Sequence, residues 1–289
     1  MSETAVCRSY AKLNLHLAIQ GRRADGFHDI SSLFQRIRLY DTLRFRVTAG
    51  NAFDCRISGM DADGNIMYAA AEQFMRTAGL QCVLDIAIEK RIPIGAGLGG
   101  GSSNAAAVLR FLQDYFNSPL PETELAELGA KTGSDVPFFL ADTPIAHASG
   151  RGEVLYPVGC SRKWWFLVVF PGFHTSTAAA FREWDRQNST SRMEISDLSR
   201  SQLIEQYCGL APEEWNFSNS FVPLMVRTHP LYARIFRLFE SCGSGYSNLT
   251  GSGSACFGIF RDRAAAEAAC AVLRAELPAD ARCLTADIC

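Results

Sequence analysis

Five short stretches of this 289-residue chain combine side chains and spacings suited to chemistry. The densest is Pro93-Ile94-Gly95-Ala96-Gly97-Leu98-Gly99-Gly100-Gly101-Ser102-Ser103. Glycine has no Cβ, so such a loop can bring backbone N–H groups close to an anion. A helix following it aims the positive end of its dipole at the same point. The loop is built to cradle phosphate. It is not a Walker A loop, which needs Lys and then Ser or Thr after its last glycine. Here Gly95 and Gly100 have the spacing, but Gly101 and Ser102 follow. Gly95, Gly97 and Gly100 satisfy G-x-G-x-x-G, yet a dinucleotide fold needs regular βαβ units around that pattern. The chain before Val83 reads instead as strands with one short helix. A glycine-rich turn without a ligand is the remaining alternative.

Four further stretches stay open between a chemical and a plain structural role. Tyr10 to Leu17 alternates strictly, with Ala11, Leu13, Leu15 and Leu17 on one face and Lys12, Asn14 and His16 on the other. The polar row is either a solvated strand face or a set of functional groups. Asp135, in Gly133-Ser134-Asp135-Val136-Pro137, is either a helix N-cap ahead of an early Pro or a carboxylate able to take a proton from a hydroxyl. Asp25-Gly26-Phe27-His28 reads as a tight turn whose aromatic and His can stack on a flat ring and read its edge, or as a hairpin with a stray His. A second glycine loop, Leu249-Thr250-Gly251-Ser252-Gly253-Ser254, either closes on phosphates from another side or is a flexible hairpin turn.

The elements that must position these groups follow from periodicity. Val83 to Ile88 reads as a strand entering the first glycine loop. Ala105, Val108, Leu109, Leu112 and Phe116 recur at helical spacing after it, with Ser102 or Ser103 as the expected N-cap. Residues 10–19 and 33–48 alternate like strands, and Asn65 to Met75 looks helical. A helix is expected from Glu122 to Lys131, stopped at Gly133. Beyond the Gly150-Arg151-Gly152-Glu153 turn, Lys163 to Phe170 reads as a buried strand. Residues 176–240 are mainly helical, with polar connections near 186–200 and 211–220. A strand at Ala255 to Phe260, a helix at Asp262 to Leu277 and a last strand near 283–288 close the chain.

Composition bounds the class. The length allows one large domain or two joined lobes, and 48% apolar residues suffice for a sizeable core. A net charge of -2 gives no basic field for nucleic acid, so no nucleic-acid partner is expected. Ten scattered cysteines form no C-x-x-C and no zinc spacing. No apolar run approaches membrane length and Met1 to Arg8 has no signal pattern. The expectation is a cytoplasmic protein with reduced thiols and no membrane partner. We expect an α+β fold with two lobes joined near 150–160.

Taken together and in this order, these stretches resemble the GHMP kinase superfamily. The resemblance rests on Ala11-Lys12-Leu13-Asn14-Leu15, Gly21-Arg22-Arg23-Ala24-Asp25-Gly26-Phe27-His28, Ser32-Leu33-Phe34-Gln35, Pro93 to Ala106, Gly133 to Phe138, Gly150 to Glu153 and Leu249 to Gly253. It is dense over residues 10–155 and thin afterwards, apart from the late glycine loop. The resemblance implies a two-lobed GHMP-kinase-like architecture with the active site between lobes. Residues 1–155 would be the ATP-binding lobe and 156–289 the substrate-side lobe, with the last strand returning to either. The Gly-Arg-Arg-x-Asp-Gly-aromatic-His stretch is similar to one branch of the superfamily. That branch transfers the γ-phosphate of ATP to the 2-hydroxyl of 4-diphosphocytidyl-2-C-methyl-D-erythritol, on the non-mevalonate route to isoprenoid precursors.

By that resemblance Lys12 and Asp135 match the catalytic pair: Asp135 would deprotonate the hydroxyl and Lys12 would be its charge partner. Pro93 to Ser103 matches the ATP-phosphate loop, and Asn65 a position near adenine. Phe27 and His28 match positions that bind cytosine. Asn14, Thr250 and Gly251 would contact substrate, with Phe173 as a second face over the base. Mg²⁺ would bridge the ATP phosphates, with Ser103 as the candidate protein ligand. The partner is a small cytidine diphosphate sugar alcohol, and the chain is expected as a monomer or homodimer. Phe27 stands where the family more usually carries Tyr, His16 where an aromatic is common, and the acidic residues usual near Asn219 are missing. The alternatives are another small-molecule kinase of the superfamily, such as a mevalonate- or homoserine-kinase-like enzyme, or a non-catalytic binding module.

Overall fold

The computed structural model describes residues 3–60, 64–141, 143–160, 162–188 and 198–289. Of the polar connection expected at 186–200, residues 189–197 lie outside these. The chain is mixed helix and strand, as its periodicities imply. Its contacts form two compact units, each discontinuous in sequence. The long strands β1 (Glu3–Arg22) and β2 (His28–Thr48), which pair with each other, contribute to both.

The first unit comprises residues 1–11, 40–92 and 99–143. Its strands are the end of β2, with β3 (Asp54–Ser58) and β4 (Val83–Glu89). β4 runs antiparallel to β2 and parallel to β3. Four helices accompany them: α1 (Ile66–Ala78), α2 (Gly100–Tyr115), α3 (Glu122–Thr132) and the short α4 (Val136–Leu140). Leu43, Phe45, Val47, Leu84 and Ile86 point from the strands into a core completed by Phe74, Leu109 and Leu112. The period of two in the strands and the 3.6 period in the helices meet in that layer. α1 ends at Gly79, whose φ of +66° gives the left-handed stop that favours glycine.

The second unit comprises residues 12–39, 93–98 and 144–289. Ser32 to Gln35 of β2 pair antiparallel with β5 (Ile145–Ser149), which pairs with β6 (Val154–Pro157). A separate antiparallel sheet is built from β7 (Trp165–Phe170), β8 (Tyr246–Leu249), β9 (Cys256–Phe260) and β10 (Arg282–Asp287), in the order β10-β7-β9-β8. The last strand therefore pairs with β7. Helices α5 (Thr177–Asn188), α6 (Arg200–Gly209), α7 (Val222–Thr228), α8 (Leu231–Ser241) and α9 (Arg263–Glu276) complete the unit. Leu167, Val169, Cys256 and Phe260 of the sheet share a core with Ile235, Phe239 and Leu273.

The ten cysteines are free thiols, five of them buried. Burial pushes Cys55 up to about 12 and Cys7 to about 11, so both act as small apolar side chains. No helix among the described residues is long and apolar enough to cross a membrane.

Candidate active site

The polar row of β1 is not a solvated face. Lys12, Asn14 and His16 are 3%, 2% and 1% exposed. A buried ammonium is costly unless hydrogen-bonded, and a chain of partners meets that cost. Lys12 Nζ donates to Asn14 Oδ1 at 2.6 Å and lies 4.8 Å from the centre of the Phe34 ring. Asn14 Nδ2 donates to Ser32 Oγ at 2.9 Å, and Ser32 Oγ donates to the His16 carbonyl. His16 Nδ1 accepts from the Ser218 N–H at 3.1 Å, which fixes the proton of a neutral ring on Nε2. Asn14 thus orients Lys12, a role the sequence reading did not assign to it.

The two glycine stretches meet. The Lys12 N–H donates to the Leu98 carbonyl at 2.9 Å, and the Ala255 N–H to the Ala96 carbonyl at 3.0 Å. Thr250 Oγ1 accepts from the Asn14 N–H at 3.1 Å, and its proton lies between Gly97 O and Asn14 Oδ1. Gly97 has φ of +77°, and a Cβ there would sit 2.2 Å from the Thr250 carbonyl oxygen. Only glycine fits so close a backbone approach. Gly251, at φ +59°, faces Gly97 from the other loop. The second loop is the hairpin turn between β8 and β9, and it is buried rather than flexible: Thr250 and Ser254 are fully buried. Buried Asn219 holds it through Nδ2 bonds to the Leu249 and Gly251 carbonyls. In the first loop, Pro93 is buried while Ile94 is exposed and the Gly95 backbone lies against the His174 ring.

Helix α2 starts earlier than expected. Gly99, in the left-handed region at φ +70°, is its N-cap, so Ser102 and Ser103 lie inside the first turn. Gly99 makes no side-chain cap, which leaves the first N–H groups of α2 for another acceptor. Ser103 Oγ accepts from Ser9 Oγ at 2.6 Å. The loop's entry is anchored by Asp41, fully buried, which accepts from Lys90 Nζ at 2.5 Å and from the Arg91 and Ile92 N–H groups. Sequence reasoning missed Asp41, although it stands on the apolar parity of β2 between Leu39 and Leu43. A carboxylate there must find donors.

Asp135 occupies the position before α4, but its side chain makes no capping bond. Its backbone is helical (φ −87°, ψ −12°), whereas a capping residue is extended. Asn65, by contrast, is a working N-cap: its Oδ1 accepts from the Met67 N–H at 2.9 Å at the start of α1.

The Asp25–His28 turn splits its two aromatic side chains. The Arg23 N–H donates to the Phe27 carbonyl at 2.7 Å and closes the turn, with Gly26 at φ +86°. Phe27 is 51% exposed, with the Arg151 guanidinium 4.8 Å over its ring. The Arg151 N–H donates to Glu153 in the Gly150–Glu153 turn, which explains that second motif. His28 is buried, bonded through Nε2 to Asp185 Oδ1 at 2.6 Å. Phe173 stacks on His229, centroids 4.7 Å apart.

Comparison with known proteins decides what this arrangement belongs to. The family model "GHMP kinases N terminal domain" matches residues 65–143, and "GHMP kinases C terminal" matches 210–279. A 4-diphosphocytidyl-2-C-methyl-D-erythritol kinase from Chlorobium phaeobacteroides is 33% identical over 272 residues, 94% of each chain. One from Syntrophotalea carbinolica is 37% identical over 265 residues, 89% of this chain and 91% of its own. The chain belongs to this kinase family. A solved structure of 4-(cytidine 5'-diphospho)-2C-methyl-D-erythritol kinase superposes on it with a TM-score of 0.80 at 32% identity, covering 98% of this chain and 99% of the other. The L. major mevalonate kinase, 15% identical with a TM-score of 0.68, shares the fold. The kinase is thus an ATP-dependent phosphotransferase of the GHMP superfamily.

Proposed function

We propose that this kinase transfers the γ-phosphate of ATP to the 2-hydroxyl of 4-diphosphocytidyl-2-C-methyl-D-erythritol, in the cytoplasm, on the non-mevalonate route to isoprenoid precursors. The names of its relatives support the substrate. The observation that carries the chemistry is the buried Lys12-Asn14-Ser32 chain, tied through Thr250 to the glycine loop. An oriented buried ammonium beside a loop built for anions has little structural reason to exist.

Phosphoryl transfer needs positioning and charge stabilisation more than covalent help. The loop Pro93–Ser103 holds the ATP phosphates by backbone N–H groups, with the start of α2 adding its dipole. Asn65 lies at the adenine end. Lys12 offsets charge growing on the transferred group. Asp135, whose carboxylate is not used to cap α4, accepts the proton of the attacking hydroxyl. Asn14 fixes Lys12, while Thr250 and Gly251 shape the adjoining loop. Phe27 stacks on cytosine and His28 reads its edge, with Phe173, in the substrate-side lobe, as a second face over the base.

Among the described residues no three His, Cys, Asp or Glu converge on a metal. That suits Mg²⁺, which keeps waters and binds chiefly through substrate phosphates. When bound it neutralises phosphate charge; Ser103 Oγ in the first turn of α2 is the protein ligand we assign. Residues 1–155 are the ATP-binding lobe in this reading and 156–289 the substrate-side lobe, in a monomer or homodimer.

The test is ADP release with Mg-ATP and the cytidyl substrate, run beside mevalonate, homoserine and galactose. Turnover confined to the cytidyl substrate is expected. Turnover only with another alcohol would remove the cytosine assignment and keep the phosphotransfer chemistry.

A further inference from the structure

We infer that Asp185 is a specificity-determining positioning residue that sets the tautomer of His28, so that the ring accepts a hydrogen bond from the 4-amino group of cytosine and rejects uracil. The inference rests on the proposed cytidyl substrate and on His28 facing its base.

The geometry starts on α5. Phe181, Trp184 and Asp185 stand at i, i+3 and i+4 and share one face of the helix. All three meet the His28 ring. Phe181 stacks on it with centroids 4.6 Å apart and 20° between planes, and Trp184 meets it edge-on at 6.0 Å and 86°. Asp185 Oδ1 lies 2.6 Å from Nε2. Stacking fixes the plane of the imidazole, and the hydrogen bond fixes its rotation within that plane. The His28 side chain is 6% exposed and that of Asp185 27%, so the bond is largely shielded from water. The Arg22 guanidinium lies 3.8 Å from the other carboxylate oxygen of Asp185.

An ionised carboxylate only accepts. The ring nitrogen facing it therefore carries the proton, and in the neutral imidazole Nδ1 keeps its lone pair. Cytosine presents an amino donor at C4 and uracil a carbonyl acceptor. A lone pair at Nδ1 pairs with the first and opposes the second. Without Asp185 either ring nitrogen can hold the proton, and the tautomer with Nδ1–H accommodates uracil. A polar site built for one partner rejects its opposite strongly, because a buried group is left unpaired.

The experiment compares kcat/KM for the cytidyl substrate and its uridyl counterpart in the wild type, Asp185→Ala and the isosteric Asp185→Asn. The asparagine offers the ring a donor as well as an acceptor, so it too admits both tautomers. We expect the cytidyl preference to fall about tenfold or more in both variants, through a rise in KM for the cytidyl substrate larger than any change in kcat. In ¹⁵N-histidine spectra of the wild type, with His28→Asn for assignment, Nε2 should be protonated and Nδ1 not; Asp185→Ala should mix the two forms. An unchanged preference in folded variants, or a proton on Nδ1 in the wild type, would overturn the inference. Wild-type enzyme that does not turn over the cytidyl substrate would instead overturn the proposed function, while leaving the tautomer measurement readable.

Discussion

Asp262 and Asp135 hold the same place in the local chain, the residue before a helix, and the structure uses them differently. Asp262 is extended (φ −150°, ψ 171°), and its carboxylate accepts from the Ala265 N–H at 2.8 Å, so it caps α9. Asp135 is already helical, Pro137 removes an N–H from the first turn of α4, and no capping bond forms. Side chain and position are the same, and the backbone dihedral decides whether the carboxylate serves its own helix. The lesson is that a capping pattern in sequence does not exhaust the role of an Asp. The sharpest way to break the comparison is Asp135→Asn. We expect kcat to fall about 10²–10⁴-fold, with ATP binding measured by calorimetry retained and the thermal midpoint little changed. If kcat survives and stability drops as for a lost cap, Asp135 is only a helix start and the proposed base is wrong.

Lysine offers the same contrast on a smaller scale. Of four lysines, Lys12 and Lys90 both serve the glycine loop's surroundings. Lys90 neutralises fully buried Asp41 under the loop's entry, while Lys12 is held by the Asn14 amide. Lys12→Gln should lower kcat about 10²–10³-fold with little loss of stability. Lys90→Gln should destabilise the fold by about 3 kcal/mol, because Asp41 stays buried without its ion-pair partner. Denaturant unfolding and steady-state rates on the two variants read the difference; a stability loss at Lys12 equal to that at Lys90 would make both structural.

Strict alternation in β1 and β2 made those strands legible, as did the helical recurrence after Gly101. What alternation cannot say is whether a polar face is covered. Lys12, Asn14 and His16 are buried, and Asn14 and His16 bond to Thr250 and Ser218, 236 and 202 positions further along the chain. Asp185 was illegible for the same reason: its partner His28 is 157 positions away, and its helix showed only a general helical pattern. The start of α2 was misplaced because serines are strong caps in isolation. Here a left-handed glycine does the work without a side chain, which frees two further residues for the first turn.

The two glycines Gly97 and Gly101 sharpen that point about the loop. Alanine at 97 must take φ +77° and intrude on the Thr250 carbonyl, whereas at 101 a Cβ meets only the Ile66 side chain at 3.6 Å. Gly97→Ala should cost about 2–3 kcal/mol and weaken ATP binding, because the loops can no longer close. Gly101→Ala should raise stability by up to about 1 kcal/mol through helix propensity. Equal effects would mean that loop flexibility, not the approach of Gly97 to Thr250, fixes the cradle.

The smallest effect belongs to the capping Asp itself. Asp262→Ala removes one bond to the Ala265 N–H at an exposed helix start, where water can replace the lost acceptor. The expected loss is about 1 kcal/mol in urea unfolding, with kcat and KM unchanged. A measurable fall in kcat here would mean that α9 transmits its stability to the chemistry. The separation drawn between an Asp that serves its helix and one that serves the reaction would then collapse from the structural side.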